Sequence, residues 1–381
     1  MKFRPKVLFV SHEAGIGGST VSLVSLIQGL NKIDKVNIKV IIPNSKEEKA
    51  ERLLEENEIE YEKIKYRRNF KFIAEKYSLK FRIFDILNAL SVFSLYHYIK
   101  KEKIDIVCSN STGVDVGARA ARMAKVPHIY YIREMMELGL SCEYRNKYRM
   151  RKLLEKSEYA IFISKAVEEY YKSKYCLQNT SQFYNGFVVE DYYIQGHDIL
   201  ADKEIRFIQV GEFSEGKGVF NTIEMLQHLN EAGIRNWRME FVGKGSDDNI
   251  HQMQNLISQY HMESQITIGN FCLDMKEKLS EKDILIMNSR AEGFGRVTVE
   301  GMLAGCLVIG RNSGGTKEII ENQVNGILFE NEKDFIDIMK QIENQRDAYK
   351  KLAKDGQKYA LEEFDCMKTA RNFMKVVEKC M

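Results

Sequence analysis

Short apolar runs alternate with stretches of helical period along the chain, and this alternation constrains the fold most. In the first half the runs are KVLFVS, NIKVIIP, IDIVCSN, HIYYIRE and YAIFIS; in the second half they are RFIQVG, RMEFVG, QITIGN, DILIMNS, CLVIGRN and GILFE. Stretches with helical period, such as 19–31 and 116–124, lie between them. Strand–helix alternation predicts an α/β protein with parallel sheets and helices on both faces.

The pattern also predicts how many domains the chain forms. Its 381 residues are enough for two domains that each bury a core. The pattern occurs in both halves and weakens over 187–204. We therefore predict two doubly wound Rossmann-like domains, residues 1–187 and 204–360, joined by a linker over 188–203. In open α/β sheets ligands bind where the carboxyl ends of strands meet helix N-termini, so we expect the site in these loops.

Composition excludes several classes of protein. Apolar residues make up 44% and charged residues 29%, which is too apolar for a disordered chain. No apolar run approaches the roughly 18–20 residues that span a bilayer, and the first apolar run is too short for a signal peptide. The 7 cysteines never form C-x-x-C, so we expect reduced thiols in a cytoplasmic protein and no metal site.

Charge is divided unevenly between the halves. Residues 1–190 hold 33 Lys and Arg against 23 Asp and Glu, whereas residues 191–381 hold 24 against 31. Basic and aromatic residues are mixed in the stretch 61–84, and a second basic run lies at 144–156. Such a mixture suits an anionic membrane surface at the inner face of the plasma membrane, and no nucleic-acid recognition motif accompanies it. The mixture of basic and aromatic residues is explained about equally well by an amphipathic helix whose charged face is solvated and whose aromatic residues pack inward.

A glycine-rich turn follows the first predicted strand. Gly15, Gly17 and Gly18 make the turn flexible, and Ser19 and Thr20 are placed to cap the next helix. Glycines let the backbone approach a ligand, and free helix N–H groups favour phosphate. A tight strand-to-helix turn would need glycine as well, so the pattern alone leaves both explanations open.

A lysine between two glycines follows the first strand of the second half. Lys217 stands between Gly216 and Gly218 at the predicted start of a helix. A helix N-terminus favours anions, so a lysine there is poorly placed unless a phosphate binds beside it. We predict that Lys217 contacts a phosphate, and the alternative is a solvated loop lysine.

Two carboxylates flank a third glycine-rich turn in AEGFGRVTVEGMLAG, residues 291–305. Gly293 and Gly295 allow backbone N–H groups to face a diphosphate at the N-terminus of the next helix. Glu300 lies one turn into that helix, and its side chain leans back toward hydroxyl groups beside the phosphate. Glu292 would meet hydroxyls on the far side. Acidic residues that complement the helix dipole would explain Glu300 alone.

These residues resemble the E-x7-E signature of retaining glycosyltransferase family 4, whose members have the GT-B fold. The matching positions are, in order, Glu292, Glu300, Gly305, Gly314, Gly315, Glu318, Asn325 and Gly326. The resemblance extends over most of the chain, through Gly17–Gly18, IFISKAV, YNGFVVEDY and Lys217–Gly218. It implies an active site in the cleft between two Rossmann-like domains. It also implies that a closing helix, 361–381, returns to the first domain.

The resemblance further implies roles for single residues. Glu300 would bind the ribose, Glu292 the donor sugar, and Lys217 would neutralise the leaving diphosphate. Catalysis is assigned to Glu292, Lys217 and Arg133. Donor binding is assigned to Gly17, Gly18, Gly211, Lys217, Gly293, Phe294, Gly295, Val297 and Glu300. The implied donor is a nucleotide sugar, a UDP-sugar ahead of a GDP-sugar. No metal or other cofactor is expected, because lysine and helix N–H groups stabilise the leaving charge.

Two positions depart from the family pattern. An arginine usually follows the glycine of VG, where this chain has Glu212. A carboxylate there would repel a diphosphate unless it points away or binds a hydroxyl. A histidine is common near the reacting sugar, where this chain has Arg133 and Glu134 at a strand end.

We therefore expect a retaining, metal-independent hexosyltransferase. It would move a sugar from a nucleotide sugar to a glycan or lipid-linked acceptor in cell-surface polysaccharide synthesis, with the donor on the second domain and the acceptor on the first. A nucleotide-sugar epimerase or phosphorylase on the same fold is one alternative. A non-catalytic, transferase-like partner subunit is another, which Glu212 keeps open.

Overall fold

The computed structural model describes residues 4–45, 49–272 and 274–381. The chain divides into two compact units. The N-terminal unit comprises Met1–Val188 and Phe364–Met381, and the C-terminal unit comprises Val189–Glu363. The segment 188–203 thus falls almost wholly in the C-terminal unit and includes a 3-10 helix, Val189–Asp191.

The N-terminal unit is built around one parallel sheet and a small antiparallel ribbon. Its strands are β1 (Lys6–Val10), β2 (Asn37–Pro43), β3 (Tyr61–Ile64), β4 (Phe70–Phe72), β5 (Ile106–Ser109), β6 (His128–Ile132), β7 (Cys142–Tyr144), β8 (Tyr159–Phe162) and β9 (Thr180–Gln182). Within the described residues seven of them pair in parallel, in the order β3-β2-β1-β5-β6-β8-β9. The antiparallel ribbon joins β4 to β7.

The helices of this unit alternate with the strands, as the sequence pattern predicts. They are α1 (Gly18–Ile33), α2 (Lys49–Glu56), α3 (Leu79–Glu102), α4 (Val116–Ala124), α5 (Met136–Leu140), α6 (Lys147–Glu155) and α7 (Lys165–Lys172). The first strand, with Val7 to Val10 fully buried, is an inner strand of the sheet, where an apolar run has helices on both faces.

The C-terminal unit repeats this plan. Its strands are β10 (Ile205–Phe213), β11 (Trp237–Gly245), β12 (Ile266–Asn270), β13 (Ile284–Met287), β14 (Leu307–Arg311) and β15 (Ile327–Phe329). Across the described part of this unit they form one parallel sheet in the order β12-β11-β10-β13-β14-β15. Its helices are α8 (Val219–Glu231), α9 (Asp247–Gln259), α10 (Met275–Ser280), α11 (Arg296–Leu303), α12 (Thr316–Ile319), α13 (Glu332–Asn344) and α14 (Arg346–Glu363). Two Rossmann-like parallel sheets confirm the predicted fold class.

The last helix, α15 (Cys366–Cys380), packs on α1 in the N-terminal unit. Asp365 caps it by accepting a hydrogen bond from the backbone of Met367 at 2.7 Å. The contact is close, because a Cβ at Gly29 would lie 2.7 Å from the carbonyl oxygen of Cys366. The ring of Phe373 contacts that of Phe9 in β1, with ring centroids 5.4 Å apart and a tilt of 32° between the rings. The apolar face of α15 is therefore part of the core of this unit.

Candidate functional site

Lys217 lies at the end of a 3-10 helix, Glu215–Lys217, that connects β10 to α8. Gly218 follows with a φ of 71° and is the N-cap of α8. A Cβ on Gly218 would lie 2.2 Å from the carbonyl oxygen of Asn288, so only glycine permits this approach. The lysine turn is thereby held against the residues that follow β13.

This placement brings Lys217 to Glu292. The Nζ atom of Lys217 donates to Oε2 of Glu292 at 2.7 Å. The Lys217 side chain is 36% exposed and the Glu292 side chain 15%, so the pair is partly shielded from water. Two side chains from different loops, 75 residues apart in sequence, therefore form one charge pair at the carboxyl edge of the sheet.

The loop that carries Glu292 packs backbone to backbone on the loop after β14. The N–H group of Gly315 donates to the carbonyl of Glu292 at 2.8 Å. A Cβ on Gly315 would lie 2.5 Å from Phe294, and one on Gly314 would lie 2.5 Å from the carbonyl oxygen of Glu292. Gly295 is the N-cap of α11, with a φ of 93°. The glycines of both loops therefore position Glu292 at the start of α11.

Glu300 lies buried within α11 and is paired with an arginine that the sequence analysis does not single out. An Nη2 atom of Arg296 lies 3.3 Å from Oε1 of Glu300 and donates to the hydroxyl of Tyr192 at 3.3 Å. Burial raises the pKa of Glu300 above its ordinary value, and the charge and hydrogen bond of Arg296 act in the opposite direction. The i, i+4 spacing of Arg296 and Glu300 is the signal that could have revealed this pair.

The other residues assigned to the donor lie along the same elements. Gly211 in β10 pairs with Gly243 in β11. Val297 is half-buried in the first turn of α11, and Phe294 is 3% exposed. Glu212, at the position where the family usually has arginine, is exposed.

The first glycine turn, in the N-terminal unit, holds a carboxylate of its own. The hydroxyls of Ser19 and Thr20 donate to Oε1 of Glu13, the second at 2.9 Å. A Cβ on Gly17 would lie 2.9 Å from the same oxygen. Gly17 is the N-cap of α1 and receives no side-chain hydrogen bond. The prediction that Ser19 and Thr20 cap α1 is therefore wrong, because both hydroxyls bind Glu13 instead.

Arg133 is fixed by two asparagines at the end of β6. Its Nε atom donates to Oδ1 of Asn110 at 2.8 Å, and Nη1 donates to Oδ1 of Asn185 at 2.6 Å. The guanidinium lies over the ring of Tyr131, 4.0 Å from its centroid, and the residue is 8% exposed. Nothing in the sequence pattern indicated that these asparagines hold Arg133.

Glu134 has a separate set of partners. Its Oε1 atom accepts from the hydroxyl of Ser111 at 2.9 Å and from the N–H and hydroxyl groups of Thr112 at 2.8 and 2.6 Å. The adjacent residues Arg133 and Glu134 therefore bind different neighbours rather than each other.

The basic and aromatic stretch 61–84 is not one helix. It contains β3, β4 and the first turns of α3, so its alternative explanation as a single amphipathic helix is wrong. Tyr66 is 1% exposed and donates to the carbonyl of Ser11 at 2.6 Å. Lys71 is buried and forms an ion pair with Glu143 at 2.6 Å. Part of the predicted surface is therefore interior.

Two kinds of feature are absent from the described residues. Over residues 4–45, 49–272 and 274–381, no group of three or more His, Cys, Asp and Glu side chains is arranged to hold a metal ion. Over the same ranges, no helix combines the length and apolar character needed to cross a membrane.

Comparisons with known proteins identify the family. The family model described as "Glycosyl transferases group 1" matches residues 196–359, and the model described as "Glycosyltransferase Family 4" matches residues 16–191. The first match covers the C-terminal unit with Lys217, Glu292 and Glu300, and the second covers most of the N-terminal unit. The chain belongs to the GT4-type glycosyltransferases, which have the GT-B fold.

Individual relatives agree with this family. An uncharacterized glycosyltransferase of Methanocaldococcus jannaschii is 25% identical over 307 residues, which cover 79% of this chain and 82% of the relative. The crystal structure of HepE from Anabaena, in complex with UDP and glucose, superposes with a TM-score of 0.80 at 19% identity, covering 98% of this chain and 100% of HepE. A sucrose-phosphate synthase of Thermosynechococcus elongatus superposes with a TM-score of 0.75 at 14% identity, covering 99% of each chain.

Proposed function

We propose that the protein is a retaining, metal-independent hexosyltransferase that uses a nucleotide sugar, a UDP-sugar ahead of a GDP-sugar. The acceptor in this proposal is a glycan or a lipid-linked glycan of cell-surface polysaccharide synthesis. HepE, which has the same fold, was crystallised with UDP-glucose as well as with UDP, and this supports a uridine nucleotide as the first donor to test.

The observation that carries the proposal is the pairing of each motif carboxylate with a cation. Glu292 is bound by Lys217 at 2.7 Å, and Glu300 is bound by Arg296 at 3.3 Å. Both pairs lie beside the N-terminus of α11, where free N–H groups and the helix dipole favour an anion. The cation paired with each carboxylate offsets the repulsion between that carboxylate and an anion bound beside it. A bound diphosphate would then compete for the cations and leave the carboxylates to accept sugar hydroxyls.

The proposed reaction follows from this exchange of partners. The bond between the anomeric carbon and the diphosphate oxygen breaks, and a bond from that carbon to an acceptor hydroxyl oxygen forms on the same face. The proton of that hydroxyl passes to the leaving diphosphate oxygen. Lys217 would turn from Glu292 to the leaving diphosphate, whose negative charge grows in the transition state. Glu292 would accept a hydrogen bond from the donor sugar, and Glu300 would accept from the ribose.

Arg296 can replace the cation that is missing where this chain has Glu212. The usual arginine after the glycine of VG is missing, and Glu212 is exposed in its place. The side chain of Arg296 is 11% exposed and lies in the first turn of α11. In this proposal its guanidinium supplies the second cation for the diphosphate. Arg133, which the family resemblance assigns to catalysis, stays part of the proposal, and its hydrogen bonds to Asn110 and Asn185 fix the direction of its guanidinium.

Thermal unfolding with a panel of nucleotides tests the donor class. UDP, GDP, ADP and their glucose conjugates would be added separately to the purified chain. A ligand at 100 times its dissociation constant adds about 2.7 kcal/mol of stability. We expect UDP and UDP-sugars to raise the melting temperature most. No shift with any nucleotide would contradict the proposal at its first step.

Product analysis separates the alternatives. Transfer or slow hydrolysis by the purified chain alone excludes a non-catalytic partner subunit. An epimerase would return an isomerised nucleotide sugar without an acceptor, and a phosphorylase would require inorganic phosphate. Retention is read from the anomeric configuration of the product.

The absence of a metal requirement is tested by EDTA. We expect the same rate with and without the chelator, because Lys217 and Arg296 would supply the charge that a divalent ion supplies elsewhere. A rate that falls in EDTA and returns with magnesium or manganese would overturn this part of the proposal.

A further inference from the structure

Helix α3 carries apolar side chains on two opposite faces. One face is buried, with Phe81, Val92, Leu95 and Ile99 between 0% and 7% exposed. It packs against α4 and β3 in the N-terminal unit. A surface helix of a globular protein normally places polar residues opposite such a face.

The opposite face of α3 is apolar and exposed. It consists of Leu79, Ile83, Ile86, Leu90 and Phe93, which are 71%, 49%, 62%, 62% and 54% exposed. We call these five residues the α3 ridge. Their spacing of 4, 3, 4 and 3 residues keeps them on one side of the helix over about 21 Å. Contiguous exposed apolar surface of this kind marks an interaction site.

Three more exposed apolar side chains precede the ridge in the chain, at and just after β4 of the ribbon. Phe72 and Ile73 are 46% and 53% exposed, and the backbone N–H of Ile73 donates to the carbonyl of Ser141 beside β7. Tyr77, which is 46% exposed, contacts Phe81 at the start of α3 with ring centroids 5.9 Å apart. Exposed apolar residues therefore occur both before α3 and along its exposed face.

Exposed cations border the ridge. Lys76, Lys80 and Arg82 are exposed, and within the described ranges none of the three forms an ion pair. Asp85 is the single acid between Ser78 and Lys101, and it accepts from Tyr77 at 2.6 Å and from Arg145 at 2.9 Å. The surface around the ridge is therefore cationic.

We propose that the α3 ridge and its flanking cations bind the surface of an anionic lipid bilayer. An apolar stripe bordered by lysine and arginine fits an interface whose headgroups are negative and whose interior is apolar. A second copy of the chain would fit the apolar stripe but not the charges. It would place Lys76, Lys80 and Arg82 against the same residues, or against Lys100 and Lys101 at the other end of α3.

This surface shares only its first part with the stretch 61–84 that the sequence suggests. Its residues from Lys76 to Ile83 lie in that stretch and the others extend to Phe93, whereas Tyr66 and Lys71 of the stretch are buried. The proposal does not depend on the donor chemistry, since it concerns binding to lipid in the absence of any sugar nucleotide.

The test is co-sedimentation of the full chain with vesicles of phosphatidylcholine, with and without about one-third phosphatidylglycerol. We expect binding to the anionic vesicles only, weaker by about tenfold or more when the sodium chloride concentration rises from about 0.05 to about 0.5 M. Changing Lys76, Lys80 and Arg82 together to Gln should weaken binding by about 100-fold, or about fivefold for each cation. The matched control changes Lys351, Lys354 and Lys358 on α14, three exposed lysines, to Gln.

A second variant tests the apolar part. Ile86→Gln, Leu90→Gln and Phe93→Gln together should weaken binding by about tenfold or more, and they replace exposed side chains without emptying the core. Met123→Gln with Val324→Gln, two exposed apolar residues elsewhere, is the control. Melting temperature and UDP binding should stay unchanged in every variant.

Three results would overturn the proposal. One is equal or negligible binding to both kinds of vesicle. Another is binding that the ridge and cation variants leave unchanged. The third is a dimer in sedimentation velocity without lipid that the ridge variant dissociates, which would assign the ridge to a second copy of the chain.

Discussion

The two units each place a glutamate beside the glycine turn at the start of a helix, but the two glutamates have different partners. In the N-terminal unit Glu13 accepts hydrogen bonds from the hydroxyls of Ser19 and Thr20. In the C-terminal unit Glu292 is bound by the ammonium group of Lys217. Similar chain topology therefore gives one carboxylate held by neutral donors and one held by a cation.

The difference indicates which turn is prepared for an anion. A diphosphate that approaches Glu292 finds a lysine that can exchange one negative partner for another. A diphosphate that approaches Glu13 finds a carboxylate and no lysine within the glycine turn. Both turns lie at a helix N-terminus, where an anion is favoured. We therefore propose that the cation beside the turn decides which of the two binds the diphosphate.

The largest effect should follow from removing that cation. We predict that Lys217→Ala lowers turnover by about 10²–10³, which is the usual loss for one preorganised charge stabiliser. Steady-state kinetics with saturating donor measures it. Lys217→Arg should recover part of the rate, because it restores the charge.

Folding controls accompany this variant. The Lys217 side chain is 36% exposed, so its loss should change the free energy of unfolding by at most about 1 kcal/mol. Lys351→Ala on α14 is the matched exposed lysine. Near-normal turnover of Lys217→Ala would remove Lys217 from the proposed mechanism. The two glycine turns would then not differ in how a cation prepares them for the diphosphate.

The next effect separates the two motif carboxylates. Glu300→Gln should weaken binding of the nucleotide sugar by about 10- to 100-fold, the range for a hydrogen bond to a charged group. Glu292→Gln should also lower turnover, since charge changes at the sugar end in the transition state. Calorimetric titration and steady-state kinetics measure the two quantities.

Pyrophosphate is the control ligand for this pair of variants. It lacks ribose, so Glu300→Gln should not weaken its binding, and the loss of a negative charge beside Arg296 should strengthen it. Equal losses for pyrophosphate and the nucleotide sugar would argue that Glu300 only supports the helix.

One buried group in each unit should respond to acid, and the two responses have opposite directions. Burial lowers the pKa of His128 in the N-terminal unit to about 3, and its ring nitrogens bind the hydroxyls of Ser109 and Ser157 at 2.9 and 3.0 Å. A lowered folded pKa means that the unfolded chain takes up the proton first. This unit should therefore lose about 1.4 kcal/mol per pH unit as the pH falls from about 6 toward 4.

Glu300 in the C-terminal unit changes the stability with pH in the opposite direction to His128, because burial raises its pKa. The folded state then takes up the proton first, so acid favours folding at this position. Trp237 is the single tryptophan and is buried in the C-terminal unit, so its fluorescence reports that unit, whereas circular dichroism reports both. Urea unfolding at pH 7, 6 and 5 should shift the N-terminal transition more than the Trp237 transition. His128→Gln should reduce the shift, and His251→Gln, an exposed control, should not.

Much of the fold follows from local sequence, and the contrast between the two glycine turns does not. The helical stretches predicted at 19–31 and 116–124 are α1 and α4, because their apolar period is set by residues close in the chain. The short ribbon of β4 and β7 was not predicted, since three-residue strands carry little pattern and depend on a partner about 70 residues away.

The candidate site shows the same limit. The glycines and the two motif glutamates were found because they occupy fixed spacings. The partners of Glu13, Arg133 and Glu300 are chosen by tertiary packing, and only Arg296 lies at a helical spacing from its partner. The sequence also does not predict which face of α3 is exposed. Both faces are apolar, and periodicity does not distinguish the buried face from the exposed one.

The smallest effect should come from the first turn. Glu13→Gln keeps an oxygen that can accept from Ser19 and Thr20, and it removes one partly exposed negative charge. If the donor diphosphate is bound by the C-terminal unit, nucleotide affinity should change by at most about fivefold, the range for a screened charge. Gly17→Ala, whose Cβ would lie 2.9 Å from Oε1 of Glu13, disturbs the same turn sterically and is the companion variant. The dissociation constant of UDP is measured by titration for both variants and for Lys217→Ala. The size of each loss shows how much each turn contributes to nucleotide binding. If Glu13→Gln changes nucleotide affinity as much as Lys217→Ala does, the first turn also binds the diphosphate, as the family resemblance implies for Gly17 and Gly18, and the cation does not decide between the turns.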